Sequence, residues 1–261
     1  MEKMINRIVP FLFLLATACG DNCKQENLPC RKLLIFLDKS ASVDGQDARV
    51  ASMVDGDLNL LLDSLISRPG DMVEVHLIHG ESIGSPYVLQ KTLKEVLPCE
   101  DEMGPGAFQE ALDGYQQRLK AYRRSIKTSI SDYLREHSKE KVTNETDLLG
   151  TLEVISDFFP GQRQGEINTV LYISDMVHSK ATPRDYYKNP TKGLAETEDC
   201  AKRDLVWLKA NHKVDPKVFD NLKIKIWFTG ADYGRTQNEQ MKYYWTALFN
   251  ELNTSARLEF Q

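Results

Sequence analysis

Three oxygen-bearing side chains lie close together, directly after an apolar run near the start of the chain. Asp38 follows the run, and Ser40 and Ser42 come at the next two alternate positions. One carboxylate and two hydroxyls are hard oxygen donors, which Mg²⁺ and Ca²⁺ prefer, whereas Zn²⁺ favours His and Cys. The spacing Asp-x-Ser-x-Ser therefore predicts a site for a hard divalent cation.

Two later segments supply donors of the same kind. Thr146 and Asp147 open a predicted helix after a polar loop, and Asp175 follows an apolar run that ends at Ser174. In doubly wound folds, ligands bind beyond the carboxyl ends of the strands, which meet at one edge of the sheet. The order and strand-end placement of these residues therefore predict that they lie near Asp38.

Taken together, these residues resemble the metal-ion-dependent adhesion site of von Willebrand factor A (vWA) domains, and the resemblance covers about residues 32–253. The five positions that match the family motif are Asp38, Ser40, Ser42, Thr146 and Asp175. The resemblance implies that the three hydroxyls bind the cation, that the Asp residues act through waters, and that one position stays open. In that family, a Glu or Asp of a partner protein fills the open position. We expect Mg²⁺, with Mn²⁺ or Ca²⁺ as alternatives, and we expect Asp147 beside the ligands.

Other functions stay open for the same residues. Ser40, Ser42 and Thr146 have side chains that cap helix N-termini, and Asp175 is of a type common in turns. A phosphatase-like, metal-dependent hydrolase is one alternative, but Lys39-Ser40 breaks the Asp-x-Asp pattern of haloacid-dehalogenase phosphatases. The chain also has no Gly-x-Ser-x-Gly elbow, phosphate loop or dinucleotide fingerprint. We therefore expect a binding module and not an enzyme, with a metal-independent envelope scaffold as a further alternative.

Strands and helices alternate along the segments that would position these residues. Apolar runs predict strands, and apolar residues at helical spacing predict helices. The predicted strands cover 33–37, 72–78, 87–93, 168–174 and 222–228, and the predicted helices cover about 46–66, 108–137, 147–159, 201–211 and 236–252. This alternation predicts an α/β fold with a doubly wound (Rossmann-like), mostly parallel sheet and helices on both faces. The strand at 87–93 follows a short turn and is expected to be an antiparallel edge strand.

One segment is longer than the vWA resemblance implies. Residues 98–143 precede Thr146, and we interpret them as a helical insertion near the metal-bearing face of a vWA-like domain over 32–253. The basic side chains of the insertion predict a solvated helix face or, alternatively, a surface for an acidic partner or anionic lipid headgroups. They are Arg118, Lys120, Arg123, Arg124 and Lys127. Residues 254–261 are expected to form a C-terminal tail.

A loop after Asp175 is rich in Tyr, and loops over a site commonly set specificity. We therefore expect His178, Tyr186 and Tyr187 at the rim of the site.

The N-terminal segment has the pattern of an export signal. Residues 8–16 are apolar apart from Pro10, which is too short to span a bilayer and has the length of a signal-peptide core. Small residues lead into Cys19, which resembles the lipobox of bacterial lipoproteins and implies cleavage before Cys19 and acylation of that residue. We expect a signal peptide over 1–18, a tether over 19–31, and an anchor in the cell envelope. Gly20 favours sorting to the outer membrane, and a plain secretory signal is the alternative.

The chain contains five cysteines. If Cys19 is acylated, four are left, and an even number in an oxidising compartment suggests two disulfides. These four are Cys23, Cys30, Cys99 and Cys200. Three connectivities are compatible with the sequence, and we favour Cys23–Cys30 with Cys99–Cys200. None of the spacings resembles a zinc site.

Composition and charge exclude two broad classes. The 261 residues are 41% hydrophobic and 27% charged, which is an ordinary globular balance and excludes wholesale disorder. The net charge of −5 argues against a dedicated nucleic-acid-binding protein, because such domains are usually strongly basic.

Overall fold

A computed structural model of the chain describes residues 30–38, 47–83, 89–94, 98–99, 103–137, 145–160, 166–220, 222–229, 235–252 and 256–261. Within these ranges, six strands form one sheet. The strands are β1 (Arg31–Asp38), β2 (Met72–Ile78), β3 (Leu89–Thr92), β4 (Ile167–Ser174), β5 (Lys223–Phe228) and β6 (Arg257–Phe260). The α-helices are α1 (Asp47–Asp55), α2 (Asp57–Leu65), α3 (Pro105–His137), α4 (Thr151–Phe158), α5 (Leu194–Asn211) and α6 (Arg235–Glu251). A short 3₁₀ helix covers Pro216–Phe219.

The strand order confirms the predicted α/β architecture. The strands lie in the order β3-β2-β1-β4-β5-β6. Adjacent strands run parallel, apart from β2 and β3, which are antiparallel as predicted. The chain leaves β1 on one side and returns at β4 on the other, so the winding direction reverses between these two strands. In doubly wound sheets, a ligand crevice lies at this reversal.

The apolar run of β1 is buried on both faces of the sheet, which explains its lack of alternation. Leu33, Ile35 and Leu37 pack with α1, α2 and α3 on one face. Leu34 and Phe36 pack with α4, α5 and α6 on the other face. The two helical layers therefore fix the central strand and the residue that ends it.

The helical insertion packs on the domain through α3. The Tyr115 hydroxyl donates to the Ser67 carbonyl at 3.0 Å, and Arg123 Nε donates to the Ile66 carbonyl at 2.9 Å. Further along, Lys127 Nζ lies 3.3 Å from Asp55 Oδ1. The contacts progress from the end of α2 towards α1, so α3 lies beside that helical layer and runs opposite to it. Two of the five predicted basic surface residues are thus used in packing.

Several predicted helix boundaries are wrong for local reasons. The helix predicted over 46–66 is divided at Gly56, a residue of low helix propensity. The helix predicted from 147 begins at Thr151, because the Gly150 amide donates to Asp147 Oδ1 in a preceding turn. The helix predicted from 201 begins at Leu194, since its first two turns bury polar side chains that weaken the apolar pattern.

A short strand was missed at the end of the chain. Residues 257–260, placed in the predicted tail, form β6 and pair parallel with β5. Four residues are too few for a clear alternating pattern. The stacked rings of Phe260 and Phe228, 6.0 Å apart, help to hold this strand on the sheet.

The prediction of two disulfides among four cysteines is wrong. Cys30 and Cys200 are free thiols, and each of the three connectivities requires both. The sulfur of Cys30 lies against Gly70, where a Cβ would be 2.6 Å away, and Cys200 is buried in α5. Cys99 is disulfide-bonded, and its partner is outside the described residues.

The predicted signal peptide, most of the predicted tether, and Cys19 and Cys23 also lie outside the described residues. The tether ends earlier than predicted, because Arg31 already belongs to β1. Of the helices searched in the described part of the chain, none has the length and apolarity to cross a membrane.

Candidate metal centre

Two of the predicted acidic residues lie at the reversal point of the sheet. Asp38 is the last residue of β1, and Asp175 directly follows the last residue of β4. The register pairs Leu37 with Ile173, so Asp38 and Ser174 end neighbouring parallel strands. The sequence prediction that strand ends bring these positions together is met for this pair.

Asp38 is held by a short contact across the two strands. The Ser174 hydroxyl donates to Asp38 Oδ2 at 2.5 Å, and Ser174 Oγ accepts from the Met176 amide at 2.8 Å. Asp38 and Ser174 are both buried. A buried carboxylate is costly without such donors, and a hydrogen bond to a charged group is stronger than a neutral one. Ser174 therefore orients the carboxylate at the end of β1.

Asp175 begins a tight turn. Its Oδ1 accepts from the Val177 amide at 2.9 Å, and the side chain is buried. Met176 adopts φ 60°, a left-handed conformation that costs energy for a residue with a Cβ. The Met176 carbonyl accepts from Trp245 Nε1 of α6 at 3.1 Å, which holds the strained residue in place. The turn thus fixes the direction in which the chain leaves β4.

Thr146 is tied to the segment after Asp175. The Thr146 amide donates to Ser179 Oγ at 2.8 Å, and the Ser179 amide donates back to the Thr146 carbonyl at 3.1 Å. Thr146 is fully buried, yet its Oγ1 has no hydrogen-bond partner among the described residues. A buried hydroxyl without a partner is unfavourable unless something in the native protein satisfies it. This atom therefore marks a place where a ligand group or an undescribed part of the chain is expected.

The carboxylate of Asp147 contacts a backbone amide with one oxygen and the ammonium of Lys180 with the other. The Asp147 amide donates to the His79 carbonyl, beyond the end of β2, at 2.9 Å. Oδ1 accepts from the Gly150 amide at 2.9 Å, and Oδ2 lies 3.1 Å from Lys180 Nζ. A Cβ on residue 150 would lie 2.6 Å from Oδ2, so only glycine allows this carboxylate its position.

Two of the three expected rim residues lie in the interior instead. Tyr186 and Tyr244 are buried, and their hydroxyls donate to Asp204 Oδ2 at 2.5 and 2.7 Å. Burial is the main cause that raises the pKa of both phenols, and the charge of Asp204 also contributes, so both stay protonated as donors. His178 is also buried, with Nε2 3.1 Å from the Thr182 carbonyl. Burial lowers the pKa of His178, so it is neutral near pH 7. Tyr187 alone of the three is exposed, at 53%.

The described residues fit a hard cation in part. Asp38, Thr146 and Asp175 offer only oxygen atoms, as Mg²⁺ requires. Ser40 and Ser42 lie outside the described residues. Within the described part of the chain, no group of three or more His, Cys, Asp or Glu side chains could hold a metal ion. The predicted set is of another kind, because hydroxyls make up three of its five members.

Sequence reasoning missed the residues that support this centre. Ser174 directly precedes Asp175 and contacts Asp38, and Lys180 lies five residues after Asp175 and contacts Asp147. The spacing of these residues in the chain does not indicate either contact. These contacts join segments far apart in the chain. The polarity of Ser174 at the end of an apolar strand was the one available signal.

Among known proteins, the chain resembles solved structures in its fold. No protein-family model and no curated protein matches the chain. It is similar to manganese-loaded TRAP protein of Plasmodium vivax, with a TM-score of 0.38 and 15% identity, over 81% of this chain and 62% of that one. It is also similar to the conserved hypothetical protein BatB of Bacteroides thetaiotaomicron, with a TM-score of 0.38 and 11% identity, over 88% and 89% of the two chains. A third similar structure is proximal thread matrix protein 1 of the mussel byssus, with a TM-score of 0.38 and 14% identity, over 86% of this chain and 46% of that one. The chain thus spans less than two thirds of the length of the TRAP and byssus proteins.

Proposed function

We propose that this chain is a vWA-like module that binds a protein ligand through a divalent cation of the Mg²⁺ type. The observation that carries the proposal is the buried Oγ1 of Thr146, which has no hydrogen-bond partner in the part of the chain that the structure describes. Asp38 ends β1 and Asp175 directly follows β4, at the reversal of the sheet. Ser40 and Ser42 complete the set by sequence. A bound cation supplies Lewis acidity at an open coordination position.

The chain's own residues have distinct tasks in this proposal. Thr146, Ser40 and Ser42 would hold the cation directly, while Asp38 and Asp175 would orient bound waters and balance the charge. Ser174 holds Asp38, and the turn at Met176 holds Asp175. Three hydroxyls leave much of the charge of Mg²⁺ uncompensated, so a Glu or Asp carboxylate of a partner suits the open position. We propose a binding role and not an enzymatic one.

The same proposal includes a lipid anchor. Acylation of Cys19 after removal of residues 1–18 would attach the domain to a bacterial cell envelope, with the outer membrane favoured by Gly20. The support for this part is the sequence pattern alone.

Thr146→Val tests the cation site with a matched control. Valine has nearly the same shape as threonine and removes only the hydroxyl. Thr169 offers the same change elsewhere, because its buried Oγ1 also lacks a partner among the described residues, but it lies near the beginning of β4. Mn²⁺ binding should be measured by isothermal titration calorimetry and by the melting shift. We expect binding in the wild type and Thr169→Val, and a loss of at least tenfold in Thr146→Val.

The outcomes separate the alternatives. Equal affinities in all three proteins would exclude Thr146 as a ligand. No binding to the wild type would favour a metal-independent scaffold. Metal-dependent turnover in a phosphatase and esterase screen, lost in Asp38→Ala, would establish the hydrolase alternative instead.

A further inference from the structure

Lys180 places a permanent positive charge beside the proposed cation site. Its Nζ lies 3.1 Å from Asp147 Oδ2, and the Asp147 side chain is only 1% exposed, whereas that of Lys180 is 28% exposed. The carboxylate is therefore fixed in the interior, while the ammonium reaches it from the surface. The lysine stem is long and flexible, so the ammonium can move from Asp147 into water when another cation takes its place.

The backbone holds Lys180 close to Thr146. Ser179, the preceding residue, exchanges two hydrogen bonds with Thr146, and Asp147 directly follows Thr146. The pairs Ser179–Lys180 and Thr146–Asp147 thus face each other. Asp147 cannot turn away from the ammonium freely, since its Oδ1 accepts from the Gly150 amide.

We propose that Lys180 is a tethered counter-cation that lowers the affinity of this site for divalent metal ions; the inference rests on the function proposed above. A divalent ion bound at Thr146 is repelled by the ammonium and competes with it for the negative charge of Asp147. For an assumed separation of about 8 Å, Coulomb's law in water gives a repulsion between Mn²⁺ and the ammonium that weakens binding about sixfold. The competition for Asp147 adds to this effect. Metal binding is then coupled to release of Lys180 from Asp147.

The experiment compares Mn²⁺ affinity in four proteins. Lys180→Met removes the charge and keeps an unbranched side chain, and Lys180→Arg keeps the charge. Lys202→Met is the matched control, because Lys202 is also ion-paired, with Glu198 at 2.9 Å, but lies on α5. Dissociation constants are measured by electron paramagnetic resonance of free Mn²⁺. We expect about tenfold tighter binding for Lys180→Met and changes within about twofold for Lys180→Arg and Lys202→Met.

Loss of Lys180 leaves the buried Asp147 carboxylate unpaired, which lowers the stability of the metal-free variant. Saturating Mn²⁺ should therefore raise the melting temperature of Lys180→Met by more than that of the wild type. If Lys180→Met does not fold, Lys180→Gln serves in its place, because its amide still donates to Asp147. Unchanged or weaker binding in the neutral variant overturns the inference and leaves the proposed function standing. Absence of Mn²⁺ binding in the wild type and in every variant overturns both.

Discussion

At the scale of single residues, the candidate centre combines three carboxylates that accept described hydrogen bonds with one buried threonine hydroxyl. Asp38, Asp147 and Asp175 each accept a hydrogen bond from a named donor, which fixes their orientation. Thr146 Oγ1 has no such partner among the described residues. Fixed carboxylates beside a hydroxyl that can still bind a ligand form a preorganised site, as binding of a small ligand requires.

Burial of His178, in the loop beyond Asp175, is expected to make the stability of the protein depend on pH. Burial lowers the pKa of His178 below the value of about 6.5 that holds in the unfolded chain. Below pH 6.5, His178 therefore becomes protonated in the unfolded state while it stays neutral in the folded state, so the free energy of unfolding falls as the pH decreases. This contribution is small above pH 6.5 and grows as the pH falls below that value, by at most about 1 kcal/mol at pH 5.5. We expect urea unfolding to show a smaller loss between pH 7.5 and 5.5 in His178→Gln than in the wild type. Equal losses would contradict the assignment.

At the scale of elements, α3 is the unusual feature, and its basic residues divide into two groups. Arg123 and Lys127 pack against α2 and α1, whereas Arg118, Lys120 and Arg124 are exposed. The prediction of a solvated basic face therefore holds for three of the five. The other two attach the insertion to the domain.

Arg123→Ala tests whether α3 stabilises the domain. Arg123 donates to the carbonyls of Ile66 and Asp63 and pairs with the Asp63 carboxylate at 2.9 Å, so it places a cation at the carboxyl end of α2. Such a cation compensates the partial negative charge at a helix C-terminus. We expect a loss of about 1–3 kcal/mol in the free energy of unfolding. Arg124→Ala, one residue along and exposed, should change it by less than about 0.5 kcal/mol. Similar losses in both would show that the contacts of Arg123 with α2 do not set the effect.

The sequence predicts those elements whose pattern lies within one segment of the chain, and it does not predict features that depend on contacts between distant segments. The apolar runs of β1 and β4 located both strands and both terminal Asp residues, because burial on two faces requires a continuous run. The late start of α4 depends on the contact of Asp147 with the Gly150 amide, and β6 depends on pairing with β5. The state of Cys30 and Cys200 depends on spatial proximity, which no spacing in the chain reveals. The contact of Lys180 with Asp147 was hidden for the same reason.

At the scale of the whole molecule, the start of β1 and the candidate centre are at opposite edges of the sheet. The chain enters at Arg31, whose amide donates to Asp71 Oδ1 just before β2 begins. Asp38 ends the same strand, at the eighth of its eight residues. Because β1, β2 and β4 are parallel, the cation site lies at the edge away from the entry point. A domain anchored through Cys19 would therefore present the site away from the membrane, on a tether that reaches at most about 40 Å.

This arrangement predicts that the anchor and the site are independent. Cys19→Ser removes the thiol that acylation needs, so the variant should lose labelled palmitate and leave the membrane fraction after an alkaline wash. Its Mn²⁺ affinity should equal that of the wild type, because the described chain enters the sheet at Arg31, at the edge opposite Asp38. Thr146→Val should show the converse pattern, with lipid labelling retained and metal binding lost. Continued labelling of Cys19→Ser would rule out this residue as the attachment point, and altered metal affinity in that variant would show that the tether reaches the site.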